Sequence, residues 1–151
     1  MKRLIYILPL LMVGGFLFFH IKENINPSSS IQSPSVIIKD HVIEVEIADE
    51  FNEWSQGLSN REFMEENKGM LFVFPGKQIR RFWMKDMNFP LDIVWLDDNK
   101  IIKIDQNAQP EGNSPTRRYS SPMPINYVLE VNAGWCNQNN IKVGNIAEFN
   151  L

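Results

Sequence analysis

The stretch Leu91-Asp92-Ile93-Val94-Trp95-Leu96-Asp97-Asp98-Asn99-Lys100-Ile101-Ile102-Lys103-Ile104-Asp105 decides the fold class. Two short runs rich in β-branched and aromatic residues flank four turn-forming residues, and neither run is long enough for a stable helix. Asp97-Asp98-Asn99-Lys100 is tight-hairpin chemistry, with Asn99 expected at the position that needs positive φ. The same period continues outward. In His41 to Ile47, Ile43, Val45 and Ile47 share one face while Val42, Glu44 and Glu46 share the other, the pattern of a half-buried strand. Met70 to Phe74 is an unbroken apolar strand expected to stop at Pro75-Gly76, and Ile79 to Met84, Tyr127 to Val131 and Ile146 to Leu151 complete the set. Asp49 is a plausible N-cap for a short helix from Glu50 to Gln56 closed by Gly57, and Gly134 to Asn139 suggests a second. About eight closely spaced strands with one or two short helices predict a mainly β fold, a compact antiparallel β-sandwich or barrel. Gln106 to Asn126, with Pro110, Pro115, Pro122 and Pro124, is the exception to short connections; such a loop is functional or disordered.

Residues 1–23 have a different character. Lys2 and Arg3 precede an apolar run from Leu4 to Phe19, and Ile21 extends it. A helix of that run spans about 24 Å against a hydrocarbon core of roughly 30 Å, so snorkelling ends are needed. No small residue stands in positions 20–27, where a cleavage site belongs, so the segment reads as an N-terminal signal anchor; a cleaved export signal is the alternative. Membrane contact is therefore expected through residues 4–21, with the C-terminal domain outside the cytoplasm, periplasmic or extracellular. Residues 24–35, with three consecutive serines, Pro27 and Pro34, read as a flexible linker, and residues 36–151 as the β-rich domain.

The composition narrows the chemistry. The 151 residues carry a net charge of -3, but Lys2, Arg3 and Lys22 against Glu23 lie in the first 23 positions. Beyond them stand 12 basic and 17 acidic residues, a net of -5, with no Lys/Arg run, so nucleic acid is not an expected partner. One cysteine, Cys136, and two histidines, His20 and His41, leave no intramolecular disulfide and no zinc motif, and no cofactor fingerprint is present. Any catalysis in the folded part rests on carboxylates and lysine.

The densest segment is Arg80 to Asp97. On a strand, Arg81, Trp83 and Lys85 share one face, and Asp92 is embedded between Leu91 and Ile93, where a charge needs a cation or several donors. Lys85 and Arg81 are the nearest candidates in sequence. Glu130 repeats the pattern within Tyr127-Val128-Leu129-Glu130-Val131. Arg117, Arg118 and Tyr119 in the long connection form either a solvated turn or a lid that brings cations to an anionic ligand. Cys136 reads as a small buried thiol.

Glu44 to Asp49, Gly57-Leu58, Gly69 to Pro75, Phe82 to Lys85, Pro90 to Ile93, Tyr127 to Val131 with Gly134, and Ile141 to Gly144 together resemble a prokaryotic family, domain of unknown function 192. The resemblance covers about residues 36–151. It implies a compact β-rich, sandwich-like domain, often exported or membrane-tethered, and supplies no reaction and no catalytic residue. Trp135-Cys136 and Asn145, where an acid is often seen, are departures from the family pattern. Three functions stand open. One is a tethered extracytoplasmic domain whose cleft, lined by Arg81, Trp83, Lys85, Asp92 and Glu130 with Arg117 and Tyr119 from the long loop, binds a small polar ligand, a glycan or an envelope protein. The second is an enzyme with Asp92 and Glu130 as general acid and base and Lys85 tuning them. The third is a structural envelope module whose buried charges only set the fold.

Overall fold

The computed structural model describes residues 33–151. The anchor expected over residues 1–23 and most of the linker lie outside the described residues. No described helix is long and apolar enough to cross a membrane. Among the described residues, nine strands and two short helices follow one another as β1 (Ser35–Ile38), β2 (His41–Ala48), α1 (Phe51–Gln56), β3 (Lys68–Gln78), β4 (Arg81–Phe82), β5 (Leu91–Asp97), β6 (Lys100–Ala108), β7 (Tyr119–Ser120), β8 (Ile125–Asn132), α2 (Trp135–Gln138) and β9 (Ala147–Asn150).

Seven strands form one sheet in the order β6-β5-β8-β3-β2-β1-β9, and β4 with β7 forms a separate two-stranded ribbon. The large sheet curls until its edges meet. Lys100 bridges Ile146, Ile101 donates to the Asn145 carbonyl at 2.9 Å, and Ala147 donates to the Asn99 carbonyl at 2.8 Å. Closure of this kind removes the exposed edges that would otherwise template aggregation. The sheet is not wholly antiparallel, because β2 and β3 run parallel with Glu44 opposite Lys68 and Ala48 opposite Phe72. A parallel pair needs a crossover rather than a hairpin, and the segment carrying α1 provides it.

Alternation of side chains then divides the apolar residues into two clusters. Val36, Ile38, Ile43, Val45, Leu71, Val94, Leu96, Leu129 and Val131 fill the inside of the curl, plugged by Trp135, Cys136 and Ile141 from the α2 region. Met70, Phe72, Phe74, Leu91, Ile93, Trp95 and Val128 point the other way, under Leu58, Met84, Met87 and Tyr119. The central strands β3, β5 and β8 are thus covered on both faces, which accounts for their near-continuous apolar sequences.

Several local expectations change. The N-cap of α1 is Glu50 rather than Asp49, and the Glu53 carboxylate accepts from the amides of both, at 3.1 and 3.0 Å. Strand β3 continues through Pro75-Gly76 to Gln78, with a register shift between Val73 and Gln78. Its end carries no buried side chain, so proline costs no core contact there. Within Ile79 to Met84 only Arg81 and Phe82 form a strand. In the β5–β6 turn it is Asp98, not Asn99, that takes positive φ, at 51°. The long connection is ordered by pairing. Phe82 lies opposite Tyr119 and Arg81 opposite Ser120, while Ser121 donates to the Arg80 carbonyl at 3.0 Å and Asp86 donates to that of Gly112 at 2.8 Å.

Candidate functional site

The register of β5 and β8 decides which of the sequence-predicted residues can meet. Asp92 lies opposite Val131, and its neighbour Ile93 lies opposite Glu130. Paired residues share a face and successive residues alternate, so Asp92 points inside the curl and Glu130 points to the outer cluster. The carboxylate pair expected for an enzyme therefore does not converge on one substrate atom.

Asp92 is fully buried and its needs are met by backbone. One oxygen accepts from the Asn107 amide at 2.9 Å and the other from the Cys136 amide at 3.0 Å. Neither Lys85 nor Arg81, the partners expected from sequence, is involved. The second of these bonds satisfies an otherwise orphaned donor in the first turn of α2, so Asp92 ties that turn to β5. The carboxylate also faces the Cys136 thiol, and burial together with this negative charge pushes the thiol's pKa far up. Cys136 is accordingly an inert core thiol.

Glu130 has the opposite character. It is 5% exposed, and among the described residues no hydrogen bond or ion pair reaches its carboxyl group. Its neighbours on the same face are Met70 of β3 and Ile93 of β5, neither of which offers a donor. Burial alone pushes its pKa up to about 8, so the group is largely protonated at neutral pH.

The carboxyl group lies at the wall of a cavity of about 350 Å³. The cavity is built between the outer face of the sheet, α1 with the turn after it, and the segment around β4. Phe72 and Phe74 come from β3, Phe51 and Trp54 from α1, and Ile79, Arg80, Arg81, Phe82 and Trp83 from the β4 segment. Trp54 packs on Phe74 at 5.1 Å between ring centroids, and Phe82 stands edge-on to Phe72 at 4.8 Å. Gly57 is required at the rim. Its φ of 47° with ψ of -132° is a backbone state that side chains disfavour, and a Cβ there would stand 3.3 Å from the Phe72 ring.

Of the residues predicted for the cleft, Arg81, Trp83 and Glu130 line this cavity, and Lys85, Asp92, Arg117 and Tyr119 do not. The Lys85 side chain is on the surface, 4.0 Å from the Asp86 carboxylate, because the chain leaves the strand after Phe82 and the alternation that grouped it with Trp83 ends there. Tyr119 is buried under the sheet opposite Phe82, with Arg117 beside its hydroxyl at 3.4 Å. From the long connection, Arg118 stacks its guanidinium 4.9 Å over the ring of Trp83 without itself lining the cavity. Sequence reasoning missed Arg80. Its guanidinium stacks 3.9 Å over Phe74 and donates to the Gly76 carbonyl at 3.0 Å, while its Nε is buried without a partner among the described residues. An arginine next to a Pro-Gly bend and an aromatic-rich strand was the available signal.

With this geometry in hand, comparison with known proteins identifies the lineage. The profile of DUF192, described as Uncharacterized ACR, matches residues 35–149. The chain belongs to the DUF192 family. Two crystal structures are similar to this DUF192 domain. One is a candidate transcription regulator from Sinorhizobium meliloti, 32% identical, with a TM-score of 0.70 over 77% of this chain and 91% of that one. The other is a protein of unknown function from Novosphingobium aromaticivorans, 30% identical, with a TM-score of 0.71 over 81% of this chain and 89% of that one. No curated protein matches.

Proposed function

We propose that this DUF192 domain is a small-molecule binding module, held outside the cytoplasm by the N-terminal apolar segment. The observation that carries the reading is Glu130, an acid that is nine-tenths buried, has no partner among the described residues and faces a cavity walled by aromatic rings. Burial strips most of the water from the acid, a cost that leucine or isoleucine at this strand position, flanked by apolar side chains, would avoid. A ligand that hydrogen-bonds the acid gives the residue a purpose. The cavity volume falls in the size class of small-molecule sites. An envelope module whose buried charges only set the fold accounts for Asp92, which is fully satisfied, and leaves Glu130 without a role. The regulator name of the Sinorhizobium meliloti neighbour draws no support from this chain, whose net charge beyond residue 23 is -5. Support for the tether is Lys2 and Arg3 ahead of the Leu4 to Phe19 run.

The test is a fragment library of mixed charge titrated into the full-length chain, with the indole signals of Trp54 and Trp83 followed by NMR. Fragments that shift both signals in the wild type, and bind more weakly after Glu130→Leu, support the pocket. Shifts that ignore Glu130→Leu, or a library that moves neither indole, refute it. A reporter fused after Leu151 should be active only outside the cytoplasm; cytoplasmic activity overturns the localisation.

A further inference from the structure

Resting on that pocket reading, we infer that the occupant is a small organic acid with a flat apolar body. Its carboxylate meets Arg80 and Arg81, and a hydroxyl or carbonyl at its far end meets Glu130. The charge of the cavity sets the sign. Arg80, Arg81 and Glu130 are the charged residues that line it, and Glu130 is largely neutral at pH 7. Among the described residues no carboxylate lies within 4 Å of the Arg80, Arg81 or Arg118 guanidinium groups, although the domain as a whole is acidic. Two arginines without counter-ions in the cavity wall, with Arg118 over the Trp83 ring, favour an anion there. Arg80 is the better receptor of the two. Burial lowers its pKa, it is held against the Phe74 ring, and its Nε donor has no partner among the described residues. Guanidinium groups in this state suit a planar carboxylate.

The remaining lining residues describe the body of the ligand. Trp54, Phe72, Phe74, Phe82 and Trp83 offer flat apolar surface. The hydroxyl protons and one amide proton of the polar side chains among them are already committed, Ser55 donating to the Phe51 carbonyl, Gln56 to that of Ser59 and Ser59 to that of Lys85, which leaves few donors for a ligand. A sugar brings a hydroxyl on nearly every ring carbon and would leave most of them unpaired here. An amine would be repelled by the two arginines. An acid with one polar group at each end of an apolar ring matches the polar groups left free.

The experiment is ligand-observed NMR on the full-length chain with four probes of similar size. They are para-hydroxymethylbenzoate, its carboxamide, the corresponding benzylamine, and glucuronate. The benzoate is expected to bind at least about tenfold more tightly than the other three, and Arg80→Gln and Arg81→Gln should each weaken it by about tenfold. Arg81→Lys, which keeps the charge, should restore part of the loss. Equal or tighter binding of the amide or amine overturns the anion assignment, and equal or tighter binding of glucuronate overturns the apolar body. Benzoate affinity unchanged in the double Arg80→Gln, Arg81→Gln variant, or no binding by any probe, also overturns the inference. The pocket reading is judged separately by the mixed-charge library. A pH series adds a second readout. The groups facing Glu130 are Met70, Phe72 and Phe74 of β3, Ile93 and Trp95 of β5, Trp54 of α1, and Arg80 and Arg81; Glu53 of α1 faces a different groove with Glu46 and Arg61. The arginines stay charged throughout, so the benzoate affinity should fall as pH rises through about 8 in the wild type and stay level in Glu130→Gln. A level profile in both overturns the placement of the acid beside the ligand.

Discussion

Glu130→Gln should change how stability depends on pH, and the size of the change follows from the burial of one group. Burial raises the Glu130 pKa from 4.5 to about 8. Between those values the folded protein holds a proton that the unfolded chain releases. Unfolding then releases a proton, so its free energy falls as pH rises. The contribution from Glu130 is fully present below pH 4.5, declines at about 1.4 kcal/mol per pH unit, and is exhausted above pH 8. Between pH 5 and pH 9 the loss amounts to about 4 kcal/mol, a large part of the 5–15 kcal/mol typical of a domain. Glutamine keeps the shape of the protonated acid and cannot ionise, so Glu130→Gln should match the wild type near pH 5 and exceed its stability by about 4 kcal/mol at pH 9. Urea unfolding at a series of pH values, followed by tryptophan fluorescence, measures both curves. Their difference cancels every titration the two proteins share. A difference that stays constant within about 1 kcal/mol from pH 5 to pH 9 would refute the reasoning. It would mean that Arg80 or Arg81 reaches Glu130 and holds it ionised.

Two further predictions concern the scaffold behind the site. Asp92→Ala removes the acceptors of the Asn107 and Cys136 amides and leaves both donors buried, so it should cost about 3 kcal/mol or more, and Asp92→Asn about half that; equal melting temperatures for the three proteins would contradict this role. Gly69→Ala places a methyl group 2.7 Å from the Glu130 carbonyl and 3.3 Å from Ile43 and Leu129, so β3 and β8 must part. A loss of about 1–3 kcal/mol is expected, with a smaller pH dependence of stability as water reaches Glu130, and an unchanged melting curve would show that the strands adapt without it.

The fold was legible where period alone carries the information. The strand expected at His41 to Ile47 and the hairpin of Leu91 to Leu96 with Ile101 to Asp105 need only local pattern and turn chemistry, and both form, although β6 runs on through Gln106 to Ala108, which the sequence reads as loop. The parallel pairing of β2 with β3 and the closure of Lys100 on Ile146 join residues far apart in the chain, and no local pattern encodes them. β4 was overextended because Ile79 to Met84 is apolar enough for a strand, although only two of its residues find a partner. That early end also misplaced Lys85, since alternation beyond Phe82 has no meaning once the strand stops.

Asp92 and Glu130 show most directly where sequence reading ends. Each is a lone acid inside an apolar strand, and each is buried. Their fates differ by one step of register. Opposite Val131, Asp92 faces the α2 region and the β6 backbone at Asn107, both of which present free amide donors. One position along, the partner of Ile93 is Glu130, which faces the aromatic-lined cavity and accepts no hydrogen bond among the described residues. An acid that finds two amides is structure, and its removal should cost stability. An acid that finds none is destabilising whenever it ionises. The distinction lies in what packs against each face, which depends on pairings between strands distant in sequence. For the same reason Arg80, set one residue before the ribbon strand, becomes the cavity's best-placed cation, while Lys85, five residues later, is on the surface.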